Sequence, residues 1–275
     1  TDRPFAVDDK LKIDGEKYQN EPVSAFMATF PPREYELERA IQSLIRQVDH
    51  LYVYLNGYSE VPNFLRNPRI TAFPASADQD LRDVGKFYHM ASASPGYFFT
   101  VDDDIEYPPN YIEHLVRAIE LYDRKAIVGV HGMIFATPLD RFFSKNRKVF
   151  SFKHALQQDR RVNALGTGTV GFHSSLLAVD GSALQAKGMA DIWLAIKAKE
   201  MDIPMIAVSR PAMWLKPIVA GKNIGPNLYE EFHDNDELQT EMLRSAGDWS
   251  IPDTLPVPVW HEDEAAPLLA KEKVA

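Results

Sequence analysis

The chain has 275 residues, no cysteine and a formal net charge of −9. That length suffices for one large α/β domain whose core needs no disulfide or metal staple. The absent cysteines exclude a thiol nucleophile, a Cys-ligated zinc and a disulfide framework, and they fit a reducing compartment; the acidic balance argues against broad nucleic-acid binding, which needs a basic surface.

Residues 1–22 are polar and without a period, and read as an arm. The opening TDRPFAVDDKLK lacks the apolar region of a signal peptide. No apolar run approaches the ~18 residues of a membrane span. A cytoplasmic protein is therefore expected. VSAFMATF (23–30) is a short apolar strand stopped by Pro31 and Pro32. Leu37, Ile41, Leu44, Ile45 and Val48 then recur at helical spacing through 34–47. HLYVYL (50–55) is a second strand closed by the turn pair Asn56-Gly57, and RITAF (69–73) a third. DQDLRDVGKFYHMA reads as a loop entering a helix. YFFTV (97–101) is a fourth strand that runs straight into Asp102-Asp103-Asp104. Pro108-Pro109 opens a helix to about Tyr122, and AIVGV (126–130) is a fifth strand.

Residues 138–160 form a basic and aromatic excursion, and 162–172 are apolar and glycine-rich. A helix spans 188–200, followed by a last strand, IPMIAV. From Trp214 onward the chain is loop-rich, with a proline-rich, acidic tail. The order of elements predicts a Rossmann-like α/β fold with a mixed, mainly parallel sheet flanked by helices. The expected organisation is an N-terminal arm (1–22), one catalytic domain (23–215, with halves 23–135 and 136–215), and a lid loop with a C-terminal tail (216–275). In such sheets ligands sit at the carboxyl ends of strands. Thr29 to Arg33, Asn56, Asp78 to Lys86 and Asp102 to Asp104 all fall there.

The acidic run carries the most chemistry. Alternate residues of a strand share a face, so Asp102 and Asp104 are expected together and Asp103 apart. Two carboxylates on one face repel unless a cation sits between them, and Mg²⁺ or Mn²⁺ suits such hard oxygen ligands. A solvated acidic turn is the plain alternative. An EF-hand places Asp102, Asp104, Glu106 and Glu113 at the right spacing, but Tyr107 stands where glycine is required and Pro108-Pro109 break the loop. A Walker B strand needs a P-loop, and neither Gly85-Lys86 nor Gly221-Lys222 has its frame. GTGTVG (166–171) matches GxGxxG, with Asp191 at the distance of a ribose contact. This leaves open a dinucleotide-binding oxidoreductase. A glycine-rich wall around Gly168, where backbone approaches a sugar closely, and a strand-turn-strand corner are the other readings.

VSAFMATF, ELERAIQSLIRQ, HLYVYLNG and YFFTVDDDIEYPPNYI, in that order, resemble the GT-A glycosyltransferases, in particular the inverting family-two type, over about residues 23–210. The resemblance implies metal-dependent transfer from a nucleotide sugar, a UDP-sugar, to a hydroxyl of a sugar or glycan acceptor, in polysaccharide or glycoconjugate synthesis. It implies that the nucleotide sugar is held by Thr29, Arg33 and Asn56 (where the family usually has aspartate), by Asp80, Asp83 and Lys86, and by Asp102 and Asp103. Asp102 and Asp104 would bind Mn²⁺ or Mg²⁺, with His233 best placed among His131, His173, His233 and His261 for a third ligand. GMADIWLAIKAKE is similar to the family's late helix, making Asp191 the general base; a helix cap is the competing role. Trp193 is assigned to the acceptor side or the core, and Arg210, Lys216 and Lys222 to a lid. The basic stretch 141–154 suits a membrane-bound acceptor or a partner domain. A nucleotidyltransferase shares the fold style but opens with a glycine-rich basic loop where this chain has FPPRE. A non-catalytic sugar-nucleotide-binding module is a further alternative.

Overall fold

The computed structural model describes residues 21–219, 235–252 and 254–255. The elements in chain order are β1 (Val23–Thr29), α1 (Glu34–Leu44), β2 (His50–Asn56), β3 (Ile70–Ala75), β4 (Tyr97–Val101), β5 (Ile105–Glu106), α2 (Tyr111–Leu121), β6 (Ile127–Gly129), β7 (Gly132–Ile134), β8 (Lys148–Phe150), β9 (Arg160–Val162), β10 (Ala164–Leu165), β11 (Thr169–His173), α3 (Ala190–Glu200), β12 (Met205–Ala207), β13 (Lys216–Pro217) and α4 (Glu237–Ser245).

Eight strands form one sheet in the order β3-β2-β1-β4-β11-β6-β12-β9. β1 to β4 are parallel to one another, and β6 and β12 are parallel to each other. β11 runs antiparallel between β4 and β6, and β9 antiparallel to β12 at the edge. The fold is thus Rossmann-like, mixed and mainly parallel. The stretches 23–135 and 136–215 both supply strands to this sheet and share it. Chain order reverses between β1 and β4, the switch point where such sheets bind ligands.

Alternation along β1 divides the core between the two faces of the sheet. Ala25 and Met27 join Leu37, Ile41 and Leu44 of α1 and Ile112, Leu115 and Ile119 of α2 on one face. Phe26 points to the other, where Phe98, Phe172 and the buried residues of α3 pack. β4 is buried along its whole length, which explains its unbroken apolar run. α3 buries Ile192, Trp193, Leu194, Ala195 and Ala198, and so lacks the one-sided stripe of α1.

Three sequence readings differ from the fold. Residues 82–87 and 90–92 form 3-10 turns rather than an α-helix, because Asp83 and Lys86 turn inward to partners of their own. The glycine-rich 166–171 run leads into strand β11 and not a helix, so it lacks the strand-turn-helix context of a dinucleotide fingerprint. α4 lies in the region read as loop-rich. Among the described residues, no helix is long and apolar enough to cross a membrane.

Candidate functional site

The carboxyl ends of β1 and β4 bring the acidic run beside two cations. Residues 102–104 leave the strand and turn, so strand alternation does not set their directions. Their partners do. Asp103 is buried; its Oδ2 accepts from Thr29 Oγ1 at 2.6 Å and its Oδ1 from Arg33 at 2.7 Å. The same Arg33 nitrogen reaches Asp104 Oδ2 at 2.9 Å. Asp102 Oδ1 pairs with the buried Lys86 Nζ at 2.6 Å. The side chains of Asp102 and Asp104 are each 41% exposed and form the outward face of the turn.

Carboxylates outnumber cations here. Partial burial, then Asp102 and Asp103 close by, push Asp104 up to about 6 despite Arg33. Burial also raises Asp103, against the pull of Arg33 and Thr29. Lys86 is buried, which works against its charge, but Asp102 in contact and Asp83 and Asp191 nearby hold its pKa above the ordinary value. The ammonium is therefore a fixed charge at the centre of three carboxylates.

The implied divalent ion can be tested against this donor set. One oxygen of Asp102 and one of Asp104 are taken by Lys86 and Arg33, leaving Asp102 Oδ2 and Asp104 Oδ1. A Cβ added at Gly168 would lie 1.9 Å from Asp102 Oδ2, so glycine is what lets that oxygen occupy its place. Among the described residues, no three His, Asp or Glu side chains converge on a metal position. The residues fit a hard cation held by Asp102 and Asp104 and completed by water and phosphate oxygens, the usual habit of Mg²⁺. His233 and Lys222 lie outside the described residues.

Asp191 stands at the start of α3, where both a base and a helix cap were conceivable. The cap comes from elsewhere. Asp83 accepts from Gly188 N at 2.5 Å and Ala190 N at 3.0 Å, satisfying the helix N-terminus across more than a hundred residues of chain. Gly188, at φ +79°, makes the turn that presents those N–H groups. Asp191 Oδ1 instead accepts from both the backbone N and the Oγ1 of Thr167, each at 2.7 Å. Thr167 Oγ1 in turn lies 3.4 Å from Lys86 Nζ. A chain of contacts thus links Asp191, Thr167, Lys86 and Asp102. Burial raises the pKa of Asp191 against the two Thr167 hydrogen bonds.

Thr167 was not singled out by the sequence, although it sits inside the GTGT run. Tyr107 was missed too. Its hydroxyl donates to Gly168 O at 2.7 Å and accepts from Asp102 N at 2.8 Å, fixing the turn against the glycine loop. His131 lies in the short connection between β6 and β7, near this loop; a Cβ at Gly166 would touch its ring. Burial, with Arg210 and Arg147 nearby, pushes His131 down to about 4, so it is neutral.

Other predicted residues are placed differently. Asn56 spends its amide internally, donating to Thr29 O and Arg82 O and accepting from Leu81 N. It pins the 80–82 segment to the end of β1. Asp80 accepts from Arg82 N within that segment. Arg210 is buried and donates to Val208, Phe150 and Ser151 carbonyls, so it braces the 138–160 excursion and is not a lid cation. Burial lowers it to about 10. Trp193 is buried against Phe87 and donates to Ser182 Oγ, a core position rather than a stacking platform. Lys216 is exposed, in register with Glu106 across the β5–β13 pair.

No family model and no curated protein match the chain. Among solved structures, CMP:2-keto-3-deoxy-manno-octonic acid synthetase complexed with CTP is similar at 11% identity and a TM-score of 0.42, over 82% of this chain and 100% of that one. A similarity of that degree assigns no activity.

Proposed function

We propose that the chain is a metal-dependent, inverting glycosyltransferase that moves a sugar from a nucleotide sugar, UDP-linked, to a hydroxyl acceptor. One observation carries this reading. Asp83 caps α3, which leaves Asp191 free of the capping role, oriented by Thr167 through one oxygen and with its other oxygen outside those bonds. A general base must be fixed in direction and must have enough basicity to take a proton, which a pKa moved up toward the working pH supplies. Thr167 supplies the first condition, and the burial-raised pKa favours the second.

In this reading Asp191 Oδ2, outside the Thr167 bonds, takes the acceptor proton as the acceptor oxygen attacks the anomeric carbon. The bond from that carbon to the diphosphate breaks on the opposite side, which inverts the centre. Asp102 and Asp104 would hold the divalent ion, which when bound would supply Lewis-acid stabilisation of the departing diphosphate. Arg33 and Lys86 keep the crowded carboxylates in place before the donor arrives. The nucleoside would lie over the ends of β1 and β2, beside the 80–86 segment that Asn56 pins.

A panel of nucleotide sugars, incubated with Mn²⁺ and simple sugar acceptors, tests this reading. Release of nucleoside diphosphate is the expected product signal. Release of pyrophosphate from a nucleoside triphosphate and sugar would mark nucleotidyl transfer instead. UDP should bind at least tenfold more tightly with Mn²⁺ than with EDTA. Equal binding in the two would remove the metal role.

A further inference from the structure

A cavity of about 490 Å³ lies between α1 and the β5–β13 pair, lined among others by Arg39, Arg46, Glu106, Trp214 and Lys216. None of Asp102, Asp104 or Asp191 lines it. Its size is that of a small-ligand site. Its charge is opposite to that of the chain as a whole, which is −9. Three cations face one carboxylate, and only Arg39 is engaged, with Glu106 at 2.8 Å. Arg46 and Lys216 have no ion-pair partner among the described residues, and both are exposed. Like charges brought to one concave surface repel and are stabilised by an incoming anion.

The other wall is aromatic and fixed. Trp214 donates Nε1–H to Asn110 Oδ1 at 3.2 Å and is supported by Tyr111 and His114, with ring centroids at 5.9 Å and 4.8 Å. A half-buried indole held in this way offers a face to a sugar ring. Gln42 and Ser43 add amide and hydroxyl groups to the lining. The backbone of this wall reaches the carboxylate edge directly. Tyr107 lines the cavity, its N–H donates to Ser43 Oγ at 3.0 Å, and its hydroxyl accepts from Asp102 N.

We infer that this cavity is a second binding site, for a monosaccharide-sized ligand carrying an anionic group, with Arg46 and Lys216 on the anion and Trp214 on the ring. Phosphate and carboxylate share the required chemistry. The inference does not depend on the sugar-transfer reading.

The test is calorimetric titration of the full chain in EDTA, which keeps the carboxylate edge from holding anions through a metal. The probes are glucose 1-phosphate, glucuronate and neutral glucose. The expected result is that one or both anionic sugars bind and glucose does not, with affinity falling as salt rises. Binding by glucose 1-phosphate alone marks a phosphate ligand, and by glucuronate alone a carboxylate ligand. The double variant Arg46→Gln/Lys216→Gln should lose at least tenfold in affinity. Both positions are exposed, and an unchanged melting temperature confirms that the variant is folded. Anionic sugars that bind no better than glucose, or equal binding by the variant, would overturn the inference.

Discussion

Thr167 and Asp191 are joined twice through a single carboxylate oxygen: the backbone N and the Oγ1 of Thr167 both donate to Asp191 Oδ1 at 2.7 Å. Thr167→Val removes the hydroxyl bond and keeps the backbone one. A hydrogen bond to a charged group contributes about 1.5–3 kcal/mol. Turnover should therefore fall by roughly 10- to 100-fold with little change in donor KM. Thr167→Ser should restore most of it. A purely structural threonine would change melting temperature in Val and Ser variants without this split.

Asp83→Ala tests the cap supplied from a distance. The variant leaves two N–H groups at the start of α3 without a partner. A lost cap costs about 0.5–2 kcal/mol, so chemical denaturation should show an unfolding free energy lowered by that amount, read from a lower midpoint at unchanged m. Turnover should fall further than stability does, because Asp191 sits one residue beyond Ala190.

The raised pKa of Asp104, about 6 against an ordinary 3.8, has a sign that can be worked out. A carboxyl that holds its proton more tightly when folded favours folding below its unfolded pKa. That contribution is lost as pH rises from about 3.8 to about 6. Asp104→Asn removes the loss. Without metal, its melting temperature should equal that of the wild type near pH 3.8 and exceed it above pH 6. The gain should be small, on the order of 2 °C, since the side chain is partly solvated. With Mn²⁺ present the order should reverse, because the variant loses a ligand.

Gly168→Ala places a methyl group 1.9 Å from Asp102 Oδ2 and must displace that carboxylate. The concentration of Mn²⁺ needed for half-maximal activity should rise about tenfold or more. Gly181→Ala is the control: nothing lies within 4 Å of its Cβ, and activity should be unchanged.

The sequence made the first half of the fold legible for local reasons. β4 is five buried residues ending in acids, and α1 and α2 carry one-sided apolar stripes, so each announces itself within a short window. What stayed hidden is non-local. The insertion of β11 between β4 and β6 is a pairing choice that no local pattern encodes. The cap from Asp83 to α3 spans two distant segments, so the competing cap role for Asp191 could be resolved only in three dimensions. Asp102 and Asp104 do face outward, but through a turn anchored by Arg33 and Lys86, not through strand alternation. Arg210 and Trp193 illustrate the converse. A cation and an indole near a site read as functional until their partners, backbone carbonyls and Phe87, are visible.

Asp191→Asn tests the proposed chemistry most directly. The substitution keeps the oxygen that Thr167 binds and removes the capacity to take a proton. Single-turnover transfer from a UDP-sugar should fall by roughly 10²- to 10⁴-fold, while Mn²⁺-dependent UDP binding stays at the wild-type level. Wild-type transfer rates in the variant would contradict the assignment of Asp191 as the base.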